Sequence, residues 1–330
     1  VEVAPIRRAE ARTNDILARW EWGTTADDAF EIHENFTNTP NPSDFIAPRY
    51  VYILEVSLDG KVLSAYKPFE DANPAATQGD IWYSVRRLLY VNNHLLLDGK
   101  ISGERSTTPN TRYALKYGIP AQTIQGEKNG KQILALIDIS NSAQPKVSQV
   151  SYVTDQEKFN HSIDAIHLAE DAIYFSMRCS NGASALAEGA RFLNNDIVVA
   201  GLLGGRFLLK TDRELKNVTW VKKLPKGVSV NSIAHSGNQL YVSGDFDTEV
   251  MWGTTKLLND NDADNLAFWG TASTADGALG QAQFIQAGYA ENVGIAIAGD
   301  HVFWQFDHRI TGTPGMGSVM GNRDLLFGDG

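Results

Sequence analysis

Short apolar runs recur along the chain in pairs, and each pair brackets a tight-turn dipeptide. Leu88–Val91 and His94–Leu97 flank Asn92-Asn93; Ile163–Leu168 and Ala172–Ser176 flank Glu170-Asp171. Ser232–Ser236 and Gln239–Ser243 flank Gly237-Asn238; Ile295–Ala298 and His301–Trp304 flank Gly299-Asp300. Runs of this length, rich in Val, Ile, Leu and Tyr, predict strands, and Asn, Asp and Gly tolerate the positive φ of two-residue hairpins. Glu170-Asp171 is the pair that lacks this turn chemistry.

A second kind of hairpin alternates with the first. Tyr50–Val56 and Val62–Tyr66 flank Leu58-Asp-Gly60, Phe207–Thr211 precedes Val218–Lys222, and Leu266–Thr271 and Ala278–Phe284 flank Asp276-Gly277. Ile133–Ile139 followed by Lys146–Val150 is a looser version. Val228–Phe284 holds both kinds in succession, and four short antiparallel strands in that span describe one blade of a β-propeller. The expectation is an all-β chain forming a single β-propeller domain over 1–330. Its four-stranded antiparallel units fall at about 1–77, 78–158, 159–227, 228–290 and 291–330. The last unit has a hairpin and a third strand at Asp324–Phe327 but no fourth. An N-terminal strand, near Val1–Ile6 or Ile16–Trp20, is expected to complete it, because ring closure removes an exposed edge. The alternative is a chain cut before its last blade.

Leu240-Tyr-Val-Ser-Gly244, the Trp252-Gly253 corner and Phe207–Trp220 carry a resemblance. The order "strand, turn, LYVSG, WGTT, acidic loop, apolar strand, DG, strand" resembles the bacterial β-propeller repeats called SBBP repeats. The resemblance spans most of the chain, and Trp22-Gly-Thr-Thr25 repeats the corner seen at Trp252. It implies a bacterial protein that is extracellular or held at the cell surface, with a periplasmic location as the alternative.

Composition narrows the partners. A net charge of -10 argues against a nucleic-acid backbone or an anionic membrane, since either rewards a basic face. No apolar run approaches the roughly 18 residues of a membrane span. Cys179 is the sole cysteine, so no intrachain disulfide or cysteine metal cluster can form, and its apolar flanks suit a buried small hydrophobe. Opening on Val1 without a charged and then apolar leader, the chain reads as a processed or trimmed product.

The sharpest local chemistry is Asn259-Asp-Asn-Asp-Ala-Asp-Asn265. Asp260, Asp262 and Asp264 alternate as in the first half of a calcium loop, which makes Ca2+ the candidate cofactor. The twelfth position is Thr271 rather than a bidentate Glu, so a solvated hairpin loop is the competing reading. His94, His167, His235 and His301 fall in or beside the first hairpins, which line a propeller's channel, but His94 and His301 follow the turn while His167 and His235 precede it. Scattered structural histidines are the plainer reading. Trp220, Trp252 and Trp269 sit at repeated positions suited to packing, whereas Trp82 and Trp304 break the repeat and are freer to serve a surface. Trp82, His94, His301 and Trp304 are therefore the candidate ligand-binding residues.

No nucleophile elbow, P-loop or catalytic-cysteine setting occurs, and Gly312–Gly317 lacks the spacing of a dinucleotide loop. A non-enzymatic binding or adhesion module for a glycan or protein ligand is the leading expectation. The alternatives are a glycan-active hydrolase or lyase at a channel mouth, and a structural domain of a larger surface assembly. An aromatic shelf favours binding; three or more acid, base or Arg side chains in one funnel favour an enzyme.

Overall fold

The structure is a computed structural model. It describes 50–59, 61–71, 81–103, 114–118, 120–125, 131–141, 143–153, 161–179, 205–259, 266–285 and 289–309, and the short strands 2–3, 15–21, 29–34, 190–192 and 197–199 as backbone. Among these residues every regular element is a β-strand, and all pairings are antiparallel. The chain divides into two compact units, Val1–Thr154 and Asp155–Gly330.

Three four-stranded sheets carry the architecture, each a simple meander. The first orders Ile81–Val91, His94–Gly103, Lys131–Asp138 and Lys146–Val153. The second orders His161–Leu168, Ala172–Cys179, Gly205–Asp212 and Val218–Lys223. The third orders Val228–Ser236, Gln239–Phe246, Leu266–Ser273 and Leu279–Phe284. In each, the link between strands two and three carries a small hairpin: Ala114–Tyr117 with Gln122–Gln125, Ala190–Phe192 with Ile197–Val199, and Val250–Trp252 with Thr255–Leu257. A final hairpin, Tyr289–Ala298 with His301–Arg309, repeats the first two strands of the same module.

The expected turns form with the expected backbone. Asn92 and Asn93 both take positive φ (44° and 60°), as do Gly237 (57°) and Gly299 (58°), the conformation a two-residue hairpin requires. Each first strand also contains one extra residue at the same place. The register slips between Val85/Arg87, Ile163/Ala165, Val230/Ser232 and Asn292/Gly294, so Arg86, Asp164, Asn231 and Val293 are bulged. The module is thus defined by a β-bulge at a fixed offset from its turn.

In the Val1–Thr154 unit, one face of the first sheet packs Leu97, Ile133, Ala135 and Ile137 against Val51 and Phe69. The other face buries Asp98, whose carboxylate accepts from Gln132 Nε2 (2.7 Å) and Arg87 (3.2 Å). Burial pushes the Asp98 carboxyl up, against the pull of Gln132 and Arg87. Gln132→Ala strips the shorter donor from this acid. The expected cost is about 1–3 kcal/mol, read as a lower denaturant midpoint at unchanged slope.

Among the described residues, both N-terminal stretches expected to close a ring have their partners within their own unit: Glu2–Val3 pairs with Tyr50–Val51, and Asp15–Glu21 pairs with Ala29–Glu34. The third strand expected at Asp324–Phe327 lies outside the described residues.

Candidate functional site

Within the Asp155–Gly330 unit the sheets pack in series. Ala172, Tyr174 and Leu208 of the second sheet share one core with Leu240, Val242 and Phe268 of the third. Residues 172, 174 and 176 alternate onto one face, so that face of the second sheet looks at the third. The corresponding face of the third sheet carries Gln239, Tyr241 and Ser243, together with their register partners Ser273, Thr271 and Trp269. The final hairpin runs against this face, and its Ile295 amide donates to Ser232 Oγ at 3.2 Å. Ser243 is fully buried there, while Tyr241 and Trp269 remain half-exposed.

Tyr241 and Trp269 make a partly exposed aromatic shelf. Their ring centroids lie 6.4 Å apart with only 28° between the planes. Strand pairing dictates this: Tyr241 and Trp269 are diagonal neighbours on one face of adjacent strands, within reach of aromatic side chains. Uncharged polar groups border the rings. The Tyr241 hydroxyl donates to the Gln239 amide oxygen at 3.1 Å, Thr271 pairs across from Tyr241, and the exposed Gln283 pairs across from Trp269. Two nearly parallel aromatic rings with amides and a hydroxyl at their edge can pack against apolar C–H surface and hydrogen-bond to hydroxyls.

A second cluster lies in the seam between the second and third sheets. The His167 and His235 rings face one another with centroids 6.1 Å apart, and Tyr174 stacks on His235 at 5.8 Å. Counted from their turns, the two histidines are offset by one position. That offset places them on opposite faces of their sheets, and opposite faces are the ones that meet across a seam. Trp220 lies 6.2 Å from Tyr174 and donates its indole N–H to the Thr274 carbonyl at 3.0 Å. Lys210 Nζ stands 5.5 Å from the Tyr174 ring centre and 3.7 Å from Asp171. Burial, with the charge of His235 adding to it, lowers the His167 pKa to about 4.

Of the residues expected to bind ligand, Trp82 and His94 belong to the first unit and His301 and Trp304 to the second. Trp82 pairs with Ser102 and His94 with Val91, so they stand at opposite ends of one hairpin, about 26 Å apart along the strand. His94 Nδ1 lies 2.9 Å from the Asn92 carbonyl oxygen, a bond within its own turn. His301 is exposed and lies 6.4 Å from Phe303, which is itself exposed. Trp304, an odd number of positions from His301, points to the other face and matches the buried core position of Val242. Asp260, Asp262 and Asp264 lie outside the described residues. Among the described residues no three His, Cys, Asp or Glu side chains gather in a metal-binding group.

Sequence reasoning assigned Trp269 to packing and did not single out Tyr241. The signal was present: aligning the modules on their turns puts Tyr241 opposite Thr271 and one diagonal step from Trp269. No protein-family model matches the chain, and no characterised protein or solved structure matches it.

Proposed function

We propose that the chain is a secreted or cell-surface β-propeller that acts as a binding module, with a neutral glycan as ligand at the Tyr241–Trp269 shelf. The observation that carries the ligand class is the shelf itself. Two partly exposed rings with planes 28° from parallel present area without charge, and Gln239, Thr271 and Gln283 supply amide and hydroxyl groups at the rim. A charged ligand would find no counter-charge in that set, whereas a pyranose offers an apolar C–H face and a ring of hydroxyls. The propeller reading is supported by the serial packing of the sheets. The first strands His161–Leu168, Val228–Ser236 and Tyr289–Ala298 neighbour one another in succession, as the inner strands of blades would. The resemblance of Leu240–Gly244 and Trp252-Gly253 to SBBP repeats supports the surface location.

Titration of the full chain with neutral oligosaccharides on an array, followed by calorimetry on those retained, tests this directly. Trp269→Ala is expected to weaken binding at least tenfold, about 1.4 kcal/mol, with the fold intact by circular dichroism. No retained neutral glycan, or equal binding by the variant, would overturn the glycan assignment. Retention of a protein ligand through the same two rings would instead favour a protein partner.

A further inference from the structure

We propose that the seam between the second and third sheets is an acid-operated latch, closed while the His167 imidazole is neutral and opened when it takes up a proton. Three features of the geometry carry it. The two imidazoles come from different sheets, so charge placed on the buried His167 ring acts across the seam rather than within one sheet. A fixed cation, Lys210, already lies over Tyr174 on the same side of the seam. The carboxylate at this rim, Asp171, is exposed and engaged with Lys210, so it gives a buried imidazolium little relief.

The titratable and charged groups facing the pair are few. From the second sheet they are Tyr174, Lys210 and, at the turn, Asp171; further along the same seam Lys222 stands near Asp276 of the third sheet. Trp220 and the apolar core wall off the remainder. His235 holds its ring near its own turn, 2.8 Å from the Gly237 carbonyl oxygen.

The direction follows from linkage. The closed seam holds the His167 pKa at about 4, whereas an opened seam returns it toward 6.5. Above 6.5 both states are neutral and the latch keeps its full strength. Between 6.5 and about 4 only the open state binds the proton, so acid favours opening. From those two values the open population rises about thirtyfold between pH 7.5 and pH 5.

Hydrogen exchange on the full chain, corrected for the intrinsic pH dependence of exchange, measures that population. Protection of His161–Leu168 and Val228–Ser236 is expected to fall about thirtyfold from pH 7.5 to pH 5. Strand His94–Gly103 of the first sheet serves as the internal reference. His167→Phe keeps the apolar packing without a titrating group, and is expected to retain protection at both pH values. Should His167→Phe not fold, His167→Asn removes the charge at smaller volume and must show the same flat pH response. Protection in the wild type that ignores pH, or acid sensitivity that survives both substitutions, would overturn the latch.

Discussion

Replacing Trp252 with alanine is expected to lower the stability of the Asp155–Gly330 unit by about 3–5 kcal/mol, the range for removing a large buried aromatic. Trp252 is fully buried although it sits on a three-strand-residue ear, Val250–Trp252, outside the main ladder. Its indole N–H donates to the Thr271 carbonyl at 3.1 Å, and its ring lies 5.1 Å from Phe268. The ring rests where strand three has no side chain: a Cβ on Gly270 would meet Trp252 Nε1 at 2.6 Å. Gly253 completes the fit, because its φ of +58° turns the ear back and a Cβ there would meet the Gly280 carbonyl at 2.2 Å. Truncating the tryptophan therefore opens a cavity and removes the contact that holds the ear. Thermal unfolding followed by near-ultraviolet dichroism should show a fall of about 6–20 °C for a unit of this size. A loss below about 1 kcal/mol would mean the ear is ornamental to the sheet.

Gly244→Ala is expected to be comparably damaging for a different reason. Gly244 pairs with Val230, one step from the bulge at Asn231, and a Cβ there would lie 1.7 Å from the Ser229 carbonyl oxygen. Backbone is the obstacle, so no rotamer change relieves the contact, and the first strand must move away from the second. The expected cost is about 3 kcal/mol, the upper end of ordinary overpacking, with the ladder between Val228–Ser236 and Gln239–Phe246 weakened. The same position of the second sheet holds Met177 opposite Ile163, so the module can house a side chain here when its strands lie differently. The denaturant midpoint of Gly244→Ala decides the matter, and a loss below about 1 kcal/mol would show that space at Gly244 is not what the bulge consumes.

Much of this fold was legible because hairpin chemistry is local. Gly237-Asn238 and Asn92-Asn93 announce their turns from the residues alone, and the strands on either side form where alternation and β-branching place them. The ears at Ala114–Gln125 and Ala190–Val199 were not legible, since their strands are only three or four residues long, too short for a period to show. The candidate sites were harder still. Trp304 looked free because it breaks the repeat; its register with Ile295 puts it in phase with Val242, and it is partly exposed there. Trp269 looked like a packing residue and Tyr241 was not singled out, and both lie partly exposed on the face beside the final hairpin. His167 and His235 are far apart in sequence, and only the stacking of one sheet on the next brings them within one ring's width. Long-range adjacency of this sort depends on how sheets nest, which no local pattern encodes.

The recurrent bulge has a practical corollary for anyone who wishes to write new residues onto this scaffold. On either side of it the strand runs in opposite phase: Val85 and Arg87, two positions apart, point to opposite faces, and so do Val230 and Ser232. Each first strand of the module is therefore two short strands spliced out of step. A grafted motif that straddles the splice will deliver its halves to different compartments, one into the core behind and one into the seam ahead. Motifs kept on the turn side of the splice, by contrast, can be moved from one module to the next without recounting.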